Sequence, residues 1–229
     1  MKKDNLNDIW VPLKFSLMAK KIFSDETDKE PIKFLLKQIL NIEVEDVNLL
    51  DYELDDYYKD DSAIDLIAIA GKEKMLIEVK INEEGYDPNR SIKFMYMIDD
   101  YKTCDSFIQI NIDYDGPHEG LICEYNYFTD KTGEMRIGNF KIIRIDAPLY
   151  NTLLFFRKNA SVKEKFIGLL CEYDKKRAKM LTDGNRNMES IYNKIANLSS
   201  VLNEEFEKSE ENRKISWLNQ IKNNFDMNK

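Results

Sequence analysis

The alternation of apolar and polar positions divides the chain into a helix pair, a run of strands and a helical tail. Residues 13–24, LKFSLMAKKIFS, and 31–41, PIKFLLKQILN, carry apolar residues at helical spacing. Pro31 suits a first helical turn, and SDETDKE ahead of it supplies caps and acidic residues for a helix start. The stretch 46–56, DVNLLDYELDD, reads as a strand ending in an acidic cluster, and 57–61, YYKDD, as a connection. Two strands are expected at about 62–70 and 74–81, joined by a turn in GKE. NEEGYDPNR then reads as a loop, 90–103 as a helix and DSFIQINID as a buried strand. Residues 120–128 and 135–146 flank TDKTGE, a hairpin signal around Gly133. From about 147 the texture is helical: YNTLLFFRKN, SVKEKFIGLLCEYDKKRAKML and 187–225, with Gly184 as a break. This order predicts an α/β or α+β domain around a mixed sheet in residues 1–150, followed by a helical extension in 151–229.

Three charges interrupt the apolar strands. Asp65 sits in AIDLIAIA, where every neighbour is apolar, so the strand reads as buried on both faces. In the next strand Met75, Ile77, Val79 and Ile81 share one face, and Glu78 and Lys80 share the other. Counting away from a turn near residues 71–72 puts Asp65 roughly opposite Glu78, with Cβ atoms about 4.5–5.5 Å apart. Two carboxylates at that distance repel. A divalent cation between them reverses the sign. The spacing alone also fits a solvated edge strand in which Asp65 is ion-paired to Lys80.

Composition narrows the chemistry. With 229 residues, 43% of them hydrophobic and 33% charged, the chain fits one sizeable globular domain with an extension. No apolar run approaches the roughly 20 residues that span a bilayer, so no membrane partner is expected. MKKDNLNDIW has no apolar stretch after its lysines, so no signal peptide is expected and a cytoplasmic location follows. Cys104, Cys123 and Cys171 are scattered and read as free thiols. The single histidine, His118, lies in a loop-like stretch without a nucleophile motif, which excludes histidine-rich metal sites. No glycine-rich phosphate cradle is present, so no nucleotide cofactor is expected. Carboxylates and lysine remain, and carboxylates hold hard cations such as magnesium. The net charge of −8 is uneven: the acid excess lies in residues 1–150, and 151–229 carry a small basic excess. Phe155, Phe156 and Trp217 read as packing positions.

An Asp near the end of one strand, a turn, then IEVK in the next and a helix beginning near Arg90 resemble the PD-(D/E)XK nuclease superfamily. The opening MAKKIFSDETDKEPIKFLLKQIL is similar, more specifically, to that of the PD-(D/E)XK nuclease family transposases, the recombination-promoting nuclease (Rpn) type. The resemblance covers about residues 13–113. Ser16 stands where the family block often has Asp. Lys80 stands where many relatives have Gln, which is closer to the superfamily pattern and favours activity. The loop NEEGYDPN is more acidic than a DNA-facing loop usually is.

The resemblance implies a restriction-endonuclease-like α-β-β-β-α-β core with a mixed central sheet, to which the hairpin and the helical C-terminal tail are additions. It implies a metal-dependent DNA endonuclease, using Mg2+ or alternatively Mn2+, associated with recombination or transposition. Asp65, Glu78 and the Val79 backbone carbonyl would hold the metal. Lys80 would orient water or stabilise charge on the phosphate. Arg90 and Lys93 would contact DNA phosphates. Asp25 or Glu30 would add a carboxylate, in competition with a plain capping role. DNA is the expected partner, and a homodimer is expected by analogy because two strands need cutting. The rival readings are a catalytically silent scaffold of the same fold that binds nucleic acid or a protein, and a helical-tail oligomerisation module.

Overall fold

The structure, a computed structural model, describes residues 10–13, 16–50, 63–82, 103–114, 122–125, 128–130, 133–135, 140–154, 157 and 159–201. The chain opens with helices α1 (Ser16–Phe23) and α2 (Glu30–Leu40). Pro31 lies in the first turn of α2, and Asn41 ends it in a left-handed conformation (φ 57°). Strands β1 (Asp46–Leu49), β2 (Ala63–Ala70), β3 (Glu73–Asn82) and β4 (Ser106–Asp113) follow. Next come β5 (Ile122–Tyr125), β6 (Phe128–Asp130), β7 (Gly133–Met135) and β8 (Phe140–Asp146). Helices α3 (Ala147–Leu154), α4 (Val162–Leu170) and α5 (Lys175–Thr182) precede a helix over residues 186–201, α6.

Six strands form one mixed sheet in the order β1-β2-β3-β4-β8-β5. β1, β2 and β3 are antiparallel neighbours; β3, β4 and β8 are parallel; β5 returns antiparallel to β8. The chain is thus an α/β protein with a mixed sheet. The hairpin expected around Gly133 is present as the small β6–β7 pair. Of its flanks, the described strands β5 and β8 pair in the main sheet.

One face of the sheet is mainly apolar, with Ser106 beside Met75 and Lys141 beside Ile108 as polar positions on it. Ile64, Leu66 and Ala68 of β2 lie beside Val79, Ile77 and Met75 of β3, which continue into Ile108, Ile110 and Ile112 of β4. These residues share one core with Phe23, Leu35, Phe166, Leu169, Met188 and Ile195, so helices α1, α2, α4 and α6 cover this face. The helices after residue 147 are therefore built into the same core as the sheet. Phe166 meets Phe34 edge-on, with ring centroids 5.1 Å apart. At Gly168 helices α3 and α4 come so close that a Cβ would collide with Leu154 Cδ1. The Trp10 indole N–H donates to the Glu172 carbonyl at 2.8 Å, and its ring stacks on Tyr192.

The stretch 161–181 corrects the single helix that its periodicity suggests: it holds two helices, α4 and α5. The Glu172 carboxylate accepts the N–H groups of Tyr173 and Asp174, each at 3.0 Å. Asp174 then caps α5 by accepting from the Arg177 N–H at 2.8 Å. Acceptors that satisfy backbone donors locally stop one helix and start the next.

An ion cluster ties the N-terminal helices to α6. Lys194 Nζ lies 3.0 Å from Asp25 Oδ2 and 2.8 Å from Asp28 Oδ2. Hydrogen bonds from Thr27, then from Lys194, hold the Asp25 carboxyl down to about 2, and Lys194 lowers Asp28 as well. Carboxylates lowered in this way stabilise the fold above their ordinary value of 3.8, and that contribution is lost as pH falls toward about 2. Lys194→Ala is expected to cost about 1 kcal/mol at pH 7, a modest figure because the three groups remain partly exposed. Urea unfolding should show this deficit shrinking as the pH is lowered through that window.

Candidate functional site

The turn that joins β2 to β3 sets the geometry of the site. Ala70 pairs with Glu73 across a two-residue loop, Gly71 and Lys72, and Gly71 takes φ +62°. A loop this short fixes the register of the whole hairpin. In that register Asp65 is the direct partner of Glu78, and Ala63 is the partner of Lys80. Partners across a strand pair lie on the same face, so Asp65, Glu78 and Lys80 share the face opposite the helix-covered core. Val79 is fully buried in that core, so only its main chain is available on the site side. A sheet carbonyl keeps a second lone pair for such a role.

Two facing carboxylates are unfavourable unless hydrogen-bond donors or a positive charge offset them. Like charges about 5 Å apart repel by about 3 kcal/mol at an effective dielectric near 20. Glu78 is completely buried, and Asp65 and Lys80 are half-buried. Lys80 brings one basic group to the same face as the two acidic ones. Two carboxylates and a peptide carbonyl are hard oxygen donors of the kind that magnesium and manganese prefer. These donor types are of the class that a hard divalent cation takes, while among the described residues no group of three or more His, Cys, Asp or Glu side chains comes together.

Parallel pairing with β4 extends the polar patch. Glu78 pairs with Gln109 and Lys80 with Asn111, and both amides are fully buried. Gln109 Nε2 donates to Glu78 Oε2 at 2.5 Å. One strand further, Asn111 pairs with Arg144, and Asp113 with Asp146. Arg144 Nε donates to the buried Asp113 carboxylate at 2.9 Å. Asp146 accepts the Leu149 N–H at 2.8 Å and so starts α3. These polar rows gather at the carboxyl ends of β3, β4 and β8, while Leu76, Phe107 and Phe140 continue the same face as an apolar row.

Of the residues the sequence singled out, the structure sets Asp65 opposite Glu78 with Lys80 on the same face, and Val79 between Glu78 and Lys80 with its side chain in the core. Gln109, Asn111, Asp113 and Arg144 were missed. Their signal was present: each is a polar residue that breaks an apolar strand, as Asp65 does. Arg90 and Lys93 lie outside the described residues, as do residues 90–102 of the helix expected at 90–103, the acidic stretch 51–61, His118, Phe155, Phe156, Trp217 and the tail beyond 201; Thr103 is in a turn. Asp25 is committed to Thr27 and Lys194, and Glu30 stands exposed in the first turn of α2 beside Lys33. Asp25 therefore has pairing partners, and Glu30 is an acidic residue of the first turn of α2 with no side-chain cap bond at its start. Cys104 and Cys171 are free and buried. Burial pushes the Cys171 thiol up to about 12, and its S–H donates to the Ala147 carbonyl, so it acts as a packing group and not as a nucleophile.

Comparisons of the chain with protein-family models, with curated proteins and with solved structures find no match. Among the described residues no helix is long and apolar enough to cross a membrane.

Proposed function

We propose that this chain is a divalent-metal-dependent nuclease that hydrolyses DNA phosphodiester bonds, on a PD-(D/E)XK-type core, in the recombination or movement of mobile DNA. The observation that carries this reading is the register that sets Asp65 directly opposite Glu78 with Lys80 two residues further along the same face. Asp65, Glu78 and the Val79 carbonyl would hold magnesium or manganese. When bound, the ion supplies a Lewis acid for the phosphate and favours ionisation of water. Lys80 directs a positive charge at the same face, where it orients the attacking water and stabilises charge that develops on the phosphate. Arg90 and Lys93 are proposed to contact the DNA backbone, and a homodimer would let two strands be cut together.

A second reading has one observation in its favour. Glu78 is completely buried and already accepts a hydrogen bond from Gln109. On this reading the charged row is a structural network in a silent scaffold that binds nucleic acid or a protein partner.

Incubation of the purified protein with supercoiled plasmid in magnesium separates the two. The nuclease reading predicts nicking by the wild type, lost in Glu78→Ala and in Lys80→Ala. Absence of cleavage in magnesium and in manganese, with all three proteins folded, favours the silent scaffold.

A further inference from the structure

We propose that Gln109 is a positioning residue for Glu78, a role that rests on the metal-dependent reading of this site. Three observations converge on it. Gln109 lies directly beside Glu78 in the parallel β3–β4 ladder. Both side chains have no solvent exposure. The amide Nε2 donates to Glu78 Oε2 at 2.5 Å.

The chemistry follows from the pairing. A buried carboxylate that lacks donors is costly, and an amide N–H lowers that cost without neutralising the charge. A protonated lysine in the same place would cancel the negative charge that attracts a cation. An amide keeps it. With Oε2 held by Gln109, rotation of the carboxylate is restrained, and the orientation it offers toward Asp65 is fixed. β4 thus contributes a residue that never touches the metal but fixes the orientation of one that does. Outer partners of this kind are typically worth tenfold to a hundredfold in metal affinity.

Two readouts test the role on the full chain. In the metal-free protein, the side-chain amide protons of Gln109 are followed by NMR, in the wild type and in Glu78→Gln. The expected result is slow exchange and a downfield amide proton in the wild type, both lost when the carboxylate becomes an amide. Mn2+ is then titrated into the wild type and into Gln109→Leu, which keeps the volume and removes the donor. The expected result is an affinity about tenfold to a hundredfold weaker in the variant, with a metal-free unfolding midpoint lowered because the buried Glu78 carboxylate loses a donor. A Gln109 amide that exchanges freely and ignores Glu78→Gln overturns the proposal, whether or not Gln109→Leu folds. Equal Mn2+ affinity in wild type and a folded Gln109→Leu overturns it as well. A wild type that binds no Mn2+ contradicts the nuclease reading instead, and the amide resonance still decides whether Gln109 holds Glu78.

Discussion

Glu78→Ala is expected to reduce magnesium-dependent plasmid cleavage by more than about a hundredfold. Loss of a group that only orients a metal ligand already costs roughly tenfold to a hundredfold, so loss of the ligand itself costs more. The substitution removes half of the facing carboxylate pair and leaves the Gln109 amide, fully buried, without its acceptor. The variant also relieves the repulsion between Asp65 and Glu78, which offsets part of the lost hydrogen bond. Folding should therefore survive better than activity. Gel quantification of nicked plasmid against time, beside an unfolding curve for each protein, separates the two effects. Equal cleavage by wild type and Glu78→Ala would remove Glu78 from the chemistry.

Phe166→Ala is expected to cost about 3–5 kcal/mol, the range for a large aromatic removed from a packed core. Phe166 lies in α4, has no exposed surface, and meets Phe34 of α2 edge-on inside the cluster that also holds the sheet residues Ile77 and Val79. That cost is a large share of the stability of an ordinary domain. Because the aromatic bridges the C-terminal helices to the N-terminal helix pair, the loss should appear as one lowered transition for sheet and helices together. Denaturant unfolding followed by far-UV circular dichroism and by tryptophan fluorescence checks it. Two separated transitions, with only the helical one lowered, would show that the C-terminal helices fold independently of the sheet.

The β2–β3 hairpin was legible because its information is local. Gly71 permits the left-handed turn, the turn fixes the register, and alternation along IEVK then sorts Glu78 and Lys80 from Val79. Asp65 announced itself by being a charge among apolar neighbours. Gln109 was not legible as a partner of Glu78, although its strand was. Parallel neighbours are joined by a crossover, here between Asn82 and Ser106, and no turn chemistry sets their register. Arg144 and Asp113 meet for the same reason, through the β4–β8 pairing of strands far apart in the chain. The break between α4 and α5 was hidden because apolar spacing continues across CEYD. Only the hydrogen bonds of Glu172 and Asp174 reveal that the backbone stops being helical there. The Asp25–Lys194 pair, which joins α6 to the segment after α1, was likewise beyond any local pattern.

The proposed chemistry requires Asp65 and Glu78 together to make a cation site. The most direct measurement is a thermal-shift titration of the purified chain with Mg2+ and Mn2+, run beside Asp65→Asn. A ligand that binds only the folded state raises the unfolding temperature as its concentration passes its dissociation constant. The predicted result is a saturating rise for the wild type and none for Asp65→Asn, whose amide cannot offer the charged oxygen pair. No rise in the wild type, or the same rise in both proteins, would contradict the account.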